Sequence, residues 1–346
     1  MIIPLKLIRN QDLRAMKVLS ADCYGADDEI FELEILKHLR GTPQEYPGYQ
    51  YISTLQDHFE HQGPNGNHVC LVFKVMAESL RTFCSWFDGD QIPSPLVQKF
   101  TKQLLQAIDL AHSSGVIHTD IQPGNIMVQL PDESFIHQYL QETEVQANEQ
   151  EDAQDSVITT TQGLRDFYFN EGFNLMTLDI ALSDWGVASW KDRHLTDLIQ
   201  PVLLRAPEVI MEAPWGPPVD IWNLGALIPE LIYAQCMFSG RDKSKTYREN
   251  VHLEEMDKLV GPFPKALLES ANSFKDIFND SGHIQTPELD TFVGLERRFS
   301  GIEADEKEKL IACIEAMLVL DPQHRKSAKE LLEELWLSHE YKGDTV

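Results

Sequence analysis

Several side chains in this sequence have the types and spacing that transfer of a phosphoryl group requires. In the stretch HTDIQPGNIM, residues 118–127, Asp120 is followed five residues later by Asn125. A further carboxylate, Asp184, begins the later motif DWG. Phosphoryl transfer needs a carboxylate that positions the attacking hydroxyl and hard oxygen ligands for magnesium on the phosphates. We therefore predict that Asp120 positions the hydroxyl and that Asn125 and Asp184 are metal ligands.

A lysine and a glutamate upstream complete this set. Lys17 lies in the short apolar segment RAMKVL, which has the pattern of a strand, and is a candidate cation for the nucleotide phosphates. Glu32 shares a helix face with Ile35 and Leu36 and so points toward packed residues. Glu34 lies on the outer side. We predict that Glu32 pairs with Lys17; a solvent-exposed helix face is the alternative for both glutamates.

Hydrophobic periodicity indicates the elements that must position these residues. Residues 28–39, DEIFELEILKHL, have leucines at helical spacing and predict a helix of about three turns. The apolar run at residues 71–76 follows the turn signal GPNG and predicts a buried strand. Ser94 and the proline behind it predict the start of a helix that ends before Gly115. The stretch HTDIQPGNIM therefore falls in a loop directly behind a helix.

Downstream of this loop the pattern becomes mostly helical. Residues 178–182 alternate as in a half-buried strand. The segments VDIWNLGALIPELI and EKLIACIEAMLVL, at residues 219–232 and 308–320, have helical apolar patterns. A short strand-and-helix region followed by a mostly helical region predicts an α+β fold.

The sequence becomes acidic and polar at about residues 131–171. From Asp132 to Glu171, ten acidic residues face a single basic residue, Arg165, and the middle is the polar tract QETEVQANEQEDAQDS. Such a tract cannot bury enough apolar surface to order itself. We predict a disordered acidic insertion here.

Composition limits the class of protein. A chain of 346 residues with 42% hydrophobic residues is globular and long enough for two domains or two lobes. Its longest apolar runs fall far short of the ~20 residues that a membrane span requires. Residues 1–19 do not have the pattern of a secretory signal. We therefore expect a soluble, monomeric protein of the cytoplasm or nucleus that does not bind membranes.

Charge and cysteine content exclude further classes. With 29 basic and 55 acidic residues, the net charge of −26 opposes direct binding to nucleic acid and favours a basic protein partner, although acidity can also serve solubility alone. The five cysteines are odd in number and widely scattered, which favours free buried thiols over disulfides or a zinc site. The three histidines of DHFEHQGPNGNH are better explained by a hairpin than by a metal site.

These motifs follow one another in the order found in eukaryotic protein kinases. The chain resembles the SR-protein kinases of the CMGC group, including forms typical of filamentous fungi, over roughly residues 13–340. The resemblance rests on AMKVL, HVCLVFKV, GVIHTDIQPGNIM, SDWGVASW, LLRAPEVI, VDIWNLGAL, VGPFPKALL and DPQHRKSAKELL, whose order and spacing agree. It implies a bilobal kinase fold, with a partial N-lobe at residues 1–76 and a C-lobe at residues 77–346. The insertion at about 131–171 is similar to the spacer of SR-protein kinases, where it would tune location or regulation or act only as a linker.

The resemblance also implies an activity and further site residues. Such an enzyme transfers the γ-phosphate of ATP, with Mg²⁺, to serine in Arg/Ser-rich proteins. Asp120 and Gln122 would lie in its catalytic loop. The implied nucleotide contacts are Lys17 on the phosphates, Ala15 and Met127 on the two faces of adenine, Phe73 as gatekeeper, and the backbone of Lys74, Val75 and Met76. Glu208 would pair with Arg325, and Asp220 would brace the catalytic loop.

Three features depart from the kinase pattern. Only 16 residues precede Lys17 and none is a glycine, so we expect the glycine-rich loop that covers the phosphates to be missing. The sequence would then be an N-terminally incomplete form of a longer kinase, or bind nucleotide weakly. Gln122 stands where serine/threonine kinases carry a lysine, a change expected to cost about 2–4 kcal/mol of transition-state stabilisation. Thr119 replaces the usual arginine, so we expect activity without activation-loop phosphorylation.

Two other functions stay open on the sequence. HTDIQPGNIM, with Gly124 at a position that is usually acidic, resembles the loops of aminoglycoside and choline phosphotransferases. Those enzymes lack the APE, DxWxxG and DPxxR motifs that are present here. The second alternative is a catalytically weak or inactive pseudokinase that serves as a scaffold. The missing glycine-rich loop favours it, and the retained Lys17, Glu32, Asp120, Asn125 and Asp184 oppose it.

Overall fold

The computed structural model describes residues 2–6 (backbone only), 13–21, 30–64, 66–132, 136, 164–165, 169 and 173–341. Within them it has a strand-rich first part and a mostly helical remainder, which confirms the α+β prediction. The polar tract of the insertion lies outside the described residues, and so does Cys23.

Antiparallel strands form the sheet of the first part. Strand β1, Ile2–Lys6, pairs with β2, Leu13–Val18. Strand β2 also pairs with β4, Gly66–Lys74, and β4 pairs with β3, Leu55–Gly63, so the order is β1-β2-β4-β3. The hairpin of β3 and β4 around the GPNG turn is confirmed. Strand β1 lies in a stretch for which the sequence predicted none.

Burial explains the composition of the two hairpin strands. Val69, Cys70, Leu71 and Val72 of β4 are all buried, which is why this run is continuously apolar. Strand β3 is at the sheet edge and exposes polar residues for most of its length, as edge strands do to avoid pairing with other chains. The prediction placed residues 75 and 76 in the strand, but β4 ends at Lys74, so the segment that follows is free to serve as a hinge.

Helix α1, Glu32–Arg40, is shorter than the predicted helix at residues 28–39. Ile30 and Phe31 are not helical, and residues 28 and 29 lie outside the described part. The predicted face is correct, since Glu32, Ile35 and Leu36 are buried. Because α1 packs against residues 185–187 and against β3, Glu32 is carried into the interior with its apolar neighbours.

The helical part is centred on one buried helix. Its helices are α2 Leu80–Cys84, α3 Ser94–Ser113, α4 Pro207–Ile210, α5 Pro218–Tyr233, α6 Glu249–Val260, α7 Lys265–Ser270, α8 Leu295–Arg298, α9 Ala304–Met317 and α10 Ala328–Leu331. Helix α5 is buried on nearly all sides, as expected of a core helix, and both α3 and α9 pack on it. Among the described residues, no helix has the length and apolar character needed to cross a membrane.

Helix α3 starts where the sequence predicts but is not capped as predicted. The residue before its first turn is Pro93, and Ser94 makes no capping hydrogen bond. The Ser94 hydroxyl instead donates to the carboxylate of Glu306 on α9. A long-range hydrogen bond has therefore replaced the predicted local one. The hydroxyl of a serine at a helix start can either cap its own helix or donate to a distant side chain.

Two short antiparallel ladders position the predicted active-site loops. Strand β5, Val116–Ile117, pairs with β8, Ser189–Trp190, and β6, Ile126–Val128, pairs with β7, Ile180–Leu182. All three residues of β7 are buried, so the predicted half-buried strand is fully covered. Helix α3 and residues 49–51 both pack on it. These ladders bring the loop behind α3 against the DWG segment.

The described end of the insertion contacts the segment that joins the two parts. The Leu164 amide donates to Oε1 of Glu78 at 2.7 Å. The ring of Phe169 lies edge-on to Phe87 at 5.3 Å and to Trp86 at 6.3 Å, just behind α2. Leu164 and Phe169 therefore lie beside the segment that runs from Glu78 to Phe87.

Candidate active site

Lys17 stands between two carboxylates. Its Nζ lies 2.6 Å from Oε1 of Glu32 and 2.7 Å from Oδ1 of Asp184. The Glu32 side chain is 2% exposed, whereas that of Asp184 is 51% exposed. Strand β2 supplies the lysine, α1 the glutamate and the turn behind β7 the aspartate. Three elements that are distant in sequence thus meet at one ammonium group.

The surroundings of Lys17 keep both it and Asp184 charged. Burial disfavours the ammonium, but the negative charges of Glu32 and Asp184 outweigh burial, so the pKa of Lys17 lies above its ordinary value. Burial likewise disfavours the Asp184 carboxylate, but the Lys17 charge outweighs it and the pKa of Asp184 is lowered. The candidate cation for phosphates and the candidate metal ligand are therefore both ionised at neutral pH.

The geometry separates the two glutamates of α1. Glu34 is exposed and pairs with Arg193, whose Nη2 lies 2.8 Å from Oε2. Glu32, not Glu34, reaches Lys17. That Glu32 serves catalysis stays a prediction.

Replacing Glu32 by glutamine is expected to lower kcat/KM for ATP about tenfold, because Lys17 would be held only by the exposed Asp184 and would lose its fixed position. Steady-state kinetics at varied ATP measures this. Glu34→Gln, two residues along the same helix, is the matched control and is expected to leave kcat/KM unchanged, since it removes only a surface pair. Equal effects of the two changes would contradict the assigned role of Glu32.

Two side-chain amides hold the Asp120 carboxylate. Gln122 Nε2 donates to Oδ1 at 2.8 Å and to Oδ2 at 3.0 Å. Asn125 Nδ2 donates to Oδ2 at 2.6 Å and to the Asp120 backbone oxygen at 2.9 Å. A carboxylate can accept about four hydrogen bonds, so Asp120 retains capacity for a hydroxyl. Oδ1, with a single one of these donors, is the less occupied oxygen.

A buried aspartate fixes the backbone of the same loop. Asp220 on α5 is fully buried and accepts hydrogen bonds from the backbone amides of His118 and Thr119, each at 2.9 Å. His112 Nε2 lies 2.9 Å from the same carboxylate. Burial alone would raise the pKa of Asp220, but the hydrogen bond and charge of His112 outweigh it and the pKa is lowered. Asp220 thus braces the loop, as the resemblance implied.

Thr119 links the catalytic loop to the DWG segment. Its φ of 69° lies in the left-handed region, which is uncommon for a β-branched residue. Its Oγ1 donates to the backbone oxygen of Val187 at 2.8 Å. The hydroxyl therefore joins the two loops directly, a contact that sequence reasoning missed.

His118 is a packing residue, as predicted. It is fully buried, and its ring lies edge-on to Trp185 with centroids 4.7 Å apart. Nε2 lies 3.0 Å from the backbone oxygen of Ser183, and Nδ1 accepts from the Asp120 amide at 3.2 Å. Since both ring nitrogens are engaged with backbone groups, Asp120 is left as the candidate base of the loop.

Asn125 and Asp184 carry oxygens of the kind that magnesium prefers. The Asn125 backbone oxygen accepts from the amide and hydroxyl of Ser183, at 2.8 and 2.9 Å, which places Asn125 beside Asp184 at one end of the β6–β7 ladder. Because Asn125 Nδ2 donates to Asp120, its Oδ1 is the atom left to bind a metal. Magnesium in such sites takes one or two protein oxygens and completes its shell with phosphates and water. Asn125 and Asp184 would hold the ion, and both assignments stay predictions.

The predicted adenine contacts lie around the hinge. Ala15 is paired with Phe73 across β2 and β4. The Ala77 amide donates to the Val128 backbone oxygen at 2.8 Å, which ties the hinge to β6 and hence to Met127. Phe73 and Met127 are half-buried. A cavity of about 120 Å³ opens here, lined by Leu13, Lys74, Val75, Leu130, Pro131, Asp132 and Ile136. Which atoms contact adenine stays a prediction.

Sequence reasoning missed Arg81, which contacts the catalytic loop. Its Nη2 donates to Oε1 of Gln122 at 3.0 Å. Arg81 lies in α2, far from the loop in sequence, and no motif includes it. The only signal was that the loop has two unusual residues, Gln122 and Gly124, without an explanation for either.

The chain is similar to known proteins along most of its length. A family model described as "Protein kinase domain" matches residues 4–160 and 169–337. A serine/threonine protein kinase of Aspergillus fumigatus is 31% identical over 94% of this chain and 79% of its own length. The serine/threonine-protein kinase SRPK of Physarum polycephalum is 27% identical over 97% of this chain and 80% of its own length. The protein kinase dsk1 of Schizosaccharomyces pombe is 24% identical over 93% of this chain and 75% of its own length.

Proposed function

The chain belongs to the protein kinase family, and from that premise we propose that it is an ATP-dependent serine/threonine protein kinase. The observation that carries the proposal is the position of Lys17 Nζ between Glu32 and Asp184. This contact supports the proposal, because transfer of a phosphoryl group requires a cation for the nucleotide phosphates close to a metal ligand.

The residues of the chain divide the chemistry among them. When bound, Mg·ATP would supply the phosphoryl group and a metal that neutralises charge on the phosphate oxygens. Lys17 would hold the phosphates, and Asp184 and Asn125 would hold the metal. Asp120 orients the hydroxyl of the protein substrate and accepts its proton at Oδ1, the less occupied oxygen. Gln122 keeps that carboxylate in place.

The proposed substrate is serine in an Arg/Ser-rich protein, in the cytoplasm or nucleus. The net charge of −26 supports this choice, because an acidic enzyme attracts a basic chain and repels an acidic one. We further propose that residues 1–76 and 77–346 act as the two lobes around the nucleotide. The acidic insertion would not take part in the chemistry.

Phosphotransfer from Mg·ATP to an Arg/Ser-rich peptide tests the proposed function. The matched control is the same peptide with each arginine replaced by glutamine. We expect transfer to serine in the first peptide, a higher KM for the second, and a KM that rises with salt because exposed charges are screened. Equal kinetics on both peptides would refute the proposed substrate. No transfer to either peptide or to a general protein substrate, from folded enzyme, would refute the kinase activity.

A further inference from the structure

The two unusual residues of the catalytic loop face one side chain. Arg81 Nη2 donates to Oε1 of Gln122 at 3.0 Å. A Cβ built on Gly124 would lie 3.5 Å from Arg81 Nε and 3.7 Å from Nη2. The φ of Gly124 is not in the left-handed region, so its backbone does not require glycine. The guanidinium therefore occupies the space that a longer side chain at position 124 would have to share.

An acidic residue at position 124 would compete for Arg81. A carboxylate there would bind the guanidinium more strongly than the neutral oxygen of Gln122 does, because hydrogen bonds between charged groups are the stronger ones. With glycine at this position, Gln122 keeps Arg81. The two substitutions thus act together, and each is explained by the same arginine.

Arg81, Gln122 and Asp120 form a continuous chain of hydrogen bonds from a cation to an anion. A guanidinium has only donors, so it takes the oxygen of the Gln122 amide and leaves the NH₂ group for Asp120. Each bond polarises the next, which strengthens both. The orientation of Gln122 is fixed from both sides, and a positive charge lies one amide away from the carboxylate that receives the hydroxyl.

Neither the loop sequence nor Lys17 offers an unengaged positive charge to this chain. Residues 118–127 contain no lysine or arginine, and Lys17 is paired with Glu32 and Asp184. Glu230 of α5 is close enough for the Arg81 charge to favour its carboxylate, although burial is the larger effect and raises the pKa of Glu230. Arg81 is exposed to solvent.

We propose that Arg81 is a positioning residue for phosphoryl transfer, which orients Gln122 toward Asp120 and supplies the positive charge that the loop itself lacks. The inference rests on the proposed kinase function and deepens it. Negative charge on the transferred phosphoryl group is stabilised by fixed positive charge nearby, and a fixed Asp120 keeps the hydroxyl in line.

Arg81→Ala is expected to lower kcat about ten- to a hundredfold, the range for loss of a group that orients a catalytic one, with KM for ATP unchanged. Gln122→Lys puts a charge in the loop itself. In the Gln122→Lys background, Arg81→Ala is therefore expected to lower kcat only slightly further. A purely structural role of Arg81 would not produce this non-additivity. Arg297→Ala, an exposed arginine of α8, is the matched control and is expected to leave kcat unchanged. Equal losses in both backgrounds, or an unchanged kcat for Arg81→Ala, would overturn the proposal.

A binding measurement separates this proposal from the proposed function. Calorimetry would compare affinity for Mg·ADP with affinity for Mg·ADP plus aluminium fluoride, which imitates the phosphoryl group in transfer. Arg81→Ala is expected to weaken the affinity for Mg·ADP with aluminium fluoride about tenfold and to leave the affinity for Mg·ADP alone unchanged. If the wild-type chain phosphorylated no protein, the kinase proposal would fail. The ratio of the two affinities, with and without aluminium fluoride, would still report on the role of Arg81. An unchanged ratio, or a loss confined to melting temperature, would count against Arg81 even in an active kinase.

Discussion

Asp120→Asn is expected to lower kcat for protein phosphorylation by about 10²–10⁴-fold, the usual contribution of a positioned acid–base group, and to leave the affinity for Mg·ATP unchanged. The carboxylate is held by Gln122 and Asn125 and retains an oxygen for the substrate hydroxyl. An amide at position 120 has only one acceptor oxygen and cannot take the hydroxyl proton. The NH₂ group of that amide would also face the NH₂ groups of Gln122 and Asn125, so that donors would stand opposite donors.

The measurement is single-turnover phosphotransfer together with calorimetric titration of Mg·ATP. Asp192→Asn is the matched control, because Asp192 is exposed and lies in the segment behind β8. The control should keep both the rate and the affinity. A kcat within about tenfold of wild type for folded Asp120→Asn would show that another group, or no protein group, receives the proton.

Glu208→Ala is expected to lower the free energy of unfolding by about 3–5 kcal/mol, the cost of leaving a buried charge without its partner. Arg325 Nη1 and Nη2 lie 2.8 and 3.0 Å from Oε1 and Oε2 of Glu208, and both side chains are fully buried. Arg325 also donates to the backbone oxygens of Pro218 and Val319. Loss of Glu208 would therefore leave a guanidinium in the core with only neutral acceptors.

Urea unfolding of the two proteins measures this change. Glu296→Ala is the matched control, since Glu296 is 75% exposed in its pair with Lys307 and its loss should cost less than about 1 kcal/mol. Replacing both core partners, as Glu208→Leu with Arg325→Met, is expected to cost clearly less than Glu208→Ala, because no charge stays buried. A loss near that of the surface control would contradict the prediction.

Local sequence patterns were sufficient for elements that local physics controls. The hairpin at GPNG and the strand that carries Lys17 follow from turn residues and apolar runs. The buried face of α1 follows from spacing alone, and so Glu32 could be separated from Glu34 before any contact was known. Helix periodicity orients a side chain whatever lies opposite it.

Boundaries and degrees of burial were less predictable. The helix predicted from residue 28 begins at Glu32, and the strand Ile180–Leu182 is fully rather than half buried. Ser94 contacts Glu306 instead of capping its own helix. In each case the local pattern was compatible with two states, and packing against a distant segment selected one.

The sequence by itself predicted transfer of a phosphoryl group, since Asp120, Asn125 and Asp184 have the types and order that this reaction needs. From the sequence, Gln122 was interpreted only as the loss of the positive charge that a lysine carries at this position. Only the tertiary structure brought Arg81 against Gln122, because α2 and the loop are neighbours in space and not in sequence. Residue types specify the reactions that are possible, and the electrostatic field in which they act is set by contacts that no local pattern records.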